Sequence, residues 1–203
     1  MNTPFFGLLP TVTNMIRVDH THVLSTFHQY RAVAAPRVKK GLVLTICTAL
    51  EIHAQLEEEI FYPAMREVDE GEKLLGDSEA EHQEMERLIV LLRQMEPEAR
   101  DYDKTFYSLM GNVLHHVADE ETVVLPAAER VLGERLGELG AHMAKRRVQL
   151  VAPRSGEIAL HMGRAVSGNK AALSMAALAA GCLIWASSAG EQRWRRRAIK
   201  RTP

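Results

Sequence analysis

HAQLEEEIFYP at residues 53–63 and HVADEETVVLP at residues 116–126 follow one pattern. Each runs His, three residues, Glu, five residues, Pro: His53/Glu57/Pro63 and His116/Glu120/Pro126. A further histidine precedes each at nearly the same distance, His20 33 residues before His53 and His82 34 residues before His116. Side chains four residues apart on a helix point the same way, one turn apart. His53 with Glu57, and His116 with Glu120, can therefore each offer an imidazole and a carboxylate to one point. The chain reads as two helix pairs, each carrying one lone His and one His-x3-Glu.

The surroundings of these residues are apolar at helical spacing. On one predicted helix the inward series runs Ile46, Leu50, His53, Glu57, Ile60; on another it runs Phe106, Leu109, Val113, His116, Glu120, Val124. His20 interrupts Ile16, Val23 and Phe27, and His82 precedes Met85, Ile89 and Leu92. Long helices are expected at about 13–34, 36–70, 78–95 and 101–131, with no strand alternation between them. Pro36 stops the first and suits the first turn of the second; Pro63 is expected to kink the second. Ser78 with Glu81 predicts a capping box at the start of the third. Short connections make successive helices antiparallel neighbours, so the fold class is all-α, an up-down-up-down four-helix bundle over residues 1–152. A fifth helix at about 133–150 is expected across one end.

Two carboxylates and four imidazoles in a bundle core would cost several kcal/mol per unpaired charge. A pair of divalent cations removes that cost by neutralising the glutamates and taking the imidazole lone pairs. Nitrogen and oxygen donors without sulfur suit iron, manganese or zinc. The six ligands His20, His53, Glu57, His82, His116 and Glu120 cannot saturate two six-coordinate ions, so positions stay open for water or a small ligand.

As a set, Asp19-His20, His53-x3-Glu57 before Tyr62-Pro63, Glu81-His82, and His116-x3-Glu120 before Leu125-Pro126 resemble the hemerythrin-like, HHE cation-binding family across about residues 13–150. The resemblance implies a four-helix bundle around a non-haem di-iron centre with Glu57 and Glu120 as bridging carboxylates. It also implies binding of dioxygen, or reaction with peroxide or nitric oxide. The oxygen-carrying hemerythrins have a second histidine one turn after the first on the third helix, where this chain has Glu86. They have Asp five residues after the last histidine, where this chain has Glu at four. These departures point from reversible oxygen carriage towards a reactive or sensing centre, with Glu86 as an additional candidate ligand. A ferritin-like or peroxidase/oxidase-type di-iron enzyme is one alternative; Glu79-x-x-His82 matches the ferritin-like Glu-x-x-His pattern once. A structural or regulatory module switched by metal loading is another.

The remaining histidines carry less. His22 lies about 200° round the helix from His20 and His115 about 100° from His116, which puts both on the rim. His28, His142 and His161 read as ordinary, and Glu58, Glu59, Asp119 and Glu121 as exposed-face charges. Tyr30, Tyr62 and Tyr107 are each able to hydrogen-bond near the centre, and the sequence does not choose among them.

Composition narrows the partners. Two distant cysteines, Cys47 and Cys182, exclude a disulfide framework and fit a reducing compartment. The first residues carry neither a basic region nor a long apolar run, so a cytoplasmic location is expected. The net charge of −1 hides a split: 16 Lys/Arg against 24 Asp/Glu in residues 1–150, 9 against 2 in residues 151–203. The acidic body argues against nucleic acid as a partner. Residues 153–203 form a separate tail in which 171–190 carry no charge and are rich in Ala, followed by Arg193, Arg195, Arg196, Arg197, Lys200 and Arg201. Residues 171–201 are a candidate for attachment to the inner face of a membrane. An Ala-rich helix packed on the bundle, or on a second copy in a homo-oligomer, is the alternative.

Overall fold

Thr11 opens the first helix by accepting a hydrogen bond from the backbone N–H of Asn14, and α1 runs Val12–Phe27. In this computed structural model, residues 10–68 and 71–165 are described. Pro36 begins α2, Pro36–Leu56, its missing N–H falling where a helix has no partner for one. A π turn, Glu57–Phe61, follows, then α3, Tyr62–Arg66. After the short α4, Gly71–Leu75, come α5, Ser78–Gln94, and α6, Tyr102–Asp119. A second π turn, Glu120–Val124, leads into α7, Leu125–Leu132, and then α8, Arg135–Val151. A 3-10 turn, Ala152–Arg154, joins α8 to α9, Ser155–Ala165. The described residues form a helical bundle, with no strand among them.

Several boundaries differ from expectation, each for a local reason. The second and fourth helices do not run through as α-helix. Pro63 and Pro126 have no N–H to give, and a proline ring clashes with the carbonyl four residues back. One turn before each proline widens, so Tyr62 N–H bonds to the Glu57 carbonyl and Leu125 N–H to the Glu120 carbonyl. The first helix ends at Phe27, and residues 28–35 form turns. The capping box at Ser78 does not form: its hydroxyl donates to the Leu75 carbonyl at 2.6 Å, and Glu81 reaches two imidazoles instead.

The fifth helix lies lengthwise, not across an end. Arg147 of α8 reaches Asp19 of α1, and Arg146 reaches Glu59 beyond the end of α2. The chain then continues along α2, with Arg154 on Glu51 and Arg93 joining Glu51 to Glu157. Two glycines permit this contact. A Cβ on Gly140 would meet the Pro10 carbonyl at 2.2 Å, and one on Gly41 the Ala165 nitrogen at 2.6 Å.

The apolar core has two parts. One gathers Val12, Ile16, Leu56, Phe61, Leu125 and Met143; the other gathers Val23, Ile46, Leu50, Leu92, Phe106 and Leu109. The histidines and glutamates of the repeat are buried with them. Among the described residues no helix is long and apolar enough to cross a membrane. The expected apolar helix at 171–190, its basic flank and Cys182 lie outside the described residues.

Candidate metal centre

Each of the four long rods delivers one imidazole to the bundle interior. His20 comes from α1, His53 from α2, His82 from α5 and His116 from α6, and all four are buried. The first residue of each π turn adds a carboxylate, Glu57 and Glu120, both with no exposed surface. The six donors therefore meet. Nε2 of His53 and of His82 lie 3.3 and 3.4 Å from Oε2 of Glu57. Nε2 of His20 and of His116 lie 3.3 and 3.7 Å from Oε2 of Glu120. Nε2 of His82 and of His116 are 3.3 Å apart. Donors about 2.1 Å from one cation sit roughly 3.0–3.4 Å from each other at cis or tetrahedral angles, so this spacing has the size of a coordination shell. Two buried groups of atoms suit one cation each: His20, His53, Glu57 and Glu120, and Glu57, His82 and His116; a third, Glu81, His115 and Asp119, lies at the surface. Glu57 belongs to both buried groups.

The outward Nδ1 atoms are held as well. Nδ1 of His20, His82 and His116 meet Glu121, Glu58 and Glu81 at 3.0, 2.9 and 2.9 Å. Nδ1 of His53 is 3.5 Å from Asp19, which Arg147 grips through both carboxylate oxygens at 2.5 Å. A carboxylate accepts, so each Nδ1 carries its hydrogen outward and leaves Nε2 as the inward lone pair. This is the carboxylate–histidine arrangement typical of imidazoles that bind metal. Glu58 and Glu121, read from sequence as solvent-face charges, belong here. Their signal was position: each of the four carboxylates is the immediate neighbour of an inward ligand.

Inside, acceptors outnumber donors. Tyr62, fully buried, places its hydroxyl 3.2 Å from Glu120, 3.3 Å from His82 and 3.4 Å from Glu57. Burial, then the two carboxylates, push its phenol well above its ordinary range, so it stays a donor. Even so, His20 Nε2, His53 Nε2, Glu57 Oε1 and Glu120 Oε2 have no hydrogen-bond partner among the described residues. Orphaned buried acceptors of this kind fit a cation.

Charge follows the same logic. Burial lowers His53, and burial with its neighbours His116 and His53 lowers His82 to about 3, so both imidazoles are neutral. Burial and then Glu120 raise Glu57 well above the ordinary carboxylate range. Burial also pushes Glu120 up, but His20 beside it, then His116 and His53, outweigh this and hold it at about 2. For His20 burial acts downward, and Glu120 with Glu121 more than offset it. A proton kept on Glu57 thus occupies a place that a cation would take.

Other candidates are elsewhere. Glu86 is exposed and joins neither group. The buried stripe of α5 is set by Ser78, Met85, Leu88, Ile89 and Leu92, which leaves His82 at its edge and turns Glu86 about 100° from its centre. Glu79, which a ferritin-like ligand set needs, is exposed and pairs with Arg66. Tyr30 bonds to Asp103 instead, and Tyr107 is half-exposed. His115 is exposed and touches Glu81 and Asp119.

A solved structure of a hemerythrin HHE cation binding domain-containing protein from Mycobacterium kansasii superposes with a TM-score of 0.62 at 20% identity, over 81% of this chain and 98% of that one. That likeness concerns the fold. A DNA nickase from Nostoc sp. (strain PCC 7120 / SAG 25.82 / UTEX 2576) is 28% identical over 127 residues, which is 63% of this chain. The match spans 36% of the nickase, about a third of its length. The family model for the hemerythrin HHE cation binding domain matches residues 11–128. A match over more than half of its length makes this chain a member of the hemerythrin HHE cation-binding domain family.

Proposed function

We propose that the chain is a non-haem di-iron protein that binds or senses O₂, NO or peroxide, with His20, His53, Glu57, His82, His116 and Glu120 as the metal ligands. The observation that carries this reading is the surplus of inward lone pairs: imidazoles with their Nδ1 hydrogens turned outward, facing two carboxylates in a sealed core. Sulfur-free nitrogen and oxygen donors suit iron, with manganese or zinc as the other candidates. A bound iron pair supplies one-electron redox steps and open positions for a diatomic ligand or peroxide.

The chain's own residues do the rest. His20, His53 and Glu120 would hold one ion and His82 and His116 the other, with Glu57 within reach of both groups. Tyr62 keeps a proton on its hydroxyl among these ligands, where it can donate to an oxygen that accumulates negative charge. The apolar clusters on both sides exclude bulk water. The acidic body opposes the phosphate backbone of nucleic acid, so nicking is not carried over from the Nostoc relative. Low cysteine content fits a cytoplasmic site, and the basic residues 193–201 fit attachment to an anionic membrane surface.

Metal analysis and absorption spectra of the purified full chain test this. Iron near two per chain is expected, with a spectrum that changes when the anaerobically reduced protein meets O₂, NO or H₂O₂. A colourless protein carrying only zinc would end the redox reading. A stable reversible adduct assigns sensing or carriage, and repeated consumption of peroxide assigns an enzyme.

A further inference from the structure

The four outer carboxylates are not paired at random. Asp19 of α1 faces His53 of α2 at 3.5 Å, the longest of the four contacts. Glu58, following α2, holds His82 of α5. Glu81 of α5 holds His116 of α6. Glu121, following α6, returns to His20 of α1. Each carboxylate sits beside an inward ligand of its own rod yet serves the imidazole of the next rod in chain order, and the fourth closes the circle.

Helix geometry explains the direction. One residue along a helix turns the side chain by about 100°, from the bundle axis towards a neighbouring helix. Asp19 and Glu81 precede His20 and His82, whereas Glu58 and Glu121 follow Glu57 and Glu120. The first and third rods run opposite to the second and fourth. A step back on one orientation and a step forward on the other rotate in the same sense seen from one end. All four carboxylates therefore turn the same way round the bundle.

We infer that Asp19, Glu58, Glu81 and Glu121 are positioning residues forming a closed ring that fixes the tautomer of every metal-binding imidazole from the adjacent helix. This rests on the metal-centre reading above and adds what sets its affinity. Loss of one link frees the imidazole of the next rod, not that of its own. Three links have a further partner: Asp19 has Arg147 at 2.5 Å, Glu81 has His115 at 2.7 Å and Glu121 has Arg17 at 3.8 Å. Glu58 and Glu121 are the more exposed pair.

Glu81 and Glu58 offer the test, using the full chain with ¹⁵N-labelled histidine. In chelator-treated protein, imidazole nitrogen spectra should show His116 and His82 with hydrogen on Nδ1. Glu81→Ala should give His116 a mixture of tautomers while His82, its own neighbour, keeps its pattern. Glu58→Ala should do the same to His82. Anaerobic Fe²⁺ titration against a competing chelator should show about 10–100-fold weaker binding in each variant. Glu81→Gln should recover most of the loss, because its amide oxygen still accepts the Nδ1 hydrogen. Unchanged tautomers and affinity in both alanine variants would overturn the ring, as would a Gln variant no better than Ala. If the unaltered chain takes no Fe²⁺, the di-iron reading fails by itself, and the tautomer spectra alone decide for or against the ring.

Discussion

The stretches 53–63 and 116–126 share a motif, a π turn and complete burial of their glutamates, yet they do different work. Glu57 faces Glu120 and holds on to a proton; Glu120 faces His20, His53 and His116 and gives its proton up. At matching positions the first stretch has Tyr62 and the second Leu125, both fully buried. The first thus adds a hydroxyl to the centre and the second only an apolar wall. A local code repeated twice sets where a side chain points. Its charge state comes from what the other three helices bring to face it.

The strongest way to break the comparison is to remove each glutamate. Glu57 belongs to both buried metal-capable groups and Glu120 to one. Glu57→Ala should lose both ions, and Glu120→Ala chiefly the ion shared by His20 and His53, read as metal per chain by mass spectrometry. Equal losses would make the two stretches equivalent. Tyr62→Phe tests the hydroxyl that Leu125 lacks. In chelator-treated protein it should lower the urea-unfolding free energy by about 1–3 kcal/mol, since one of few inward donors goes. No loss would mean that the hydroxyl contributes packing only.

A weaker effect is the pH dependence of the chelator-treated chain, where the two glutamates should act in opposite directions. Glu120, held at about 2, contributes stability above its ordinary value of about 4, and this is lost as pH falls from about 4 to about 2. Glu57, raised, does the reverse: stability falls as pH climbs from the ordinary carboxylate value towards its raised one. Each slope is at most ~1.4 kcal/mol per pH unit. Glu120→Gln should flatten the acid side and Glu57→Gln the other, followed by unfolding at stepped pH. Metal uptake should release about one proton, from Glu57, measured by calorimetry in buffers of different ionisation enthalpy. The smallest effect belongs to Glu86→Gln, which should leave metal content unchanged and stability within ~0.5 kcal/mol.

Much of the molecule was legible because helices have a short period. His53 with Glu57, and His116 with Glu120, are one turn apart whatever surrounds them, and each apolar stripe tells which face is inward. What escaped depended on several helices at once. Glu58 and Glu121 resemble solvent charges until the neighbouring imidazole is placed beside them. Glu81 was claimed by a local capping rule, and two histidines outcompete that rule. The π turns needed the prolines to be read as widening a helix instead of kinking it. The course of α8 and α9 along α1 and α2 depended on Gly41 and Gly140, whose missing side chains matter only once another backbone lies against them.

The sequence by itself determined the four ligand-bearing rods, their antiparallel order and which imidazoles and carboxylates turn inward, because 100° per residue is a property of the chain alone. Only the tertiary structure decided which carboxylate holds which imidazole, where Tyr62 joins the ligands and which glutamate keeps its proton. Those depend on distances across the bundle, and interactions between charges and lone pairs in a dry core are set by distance.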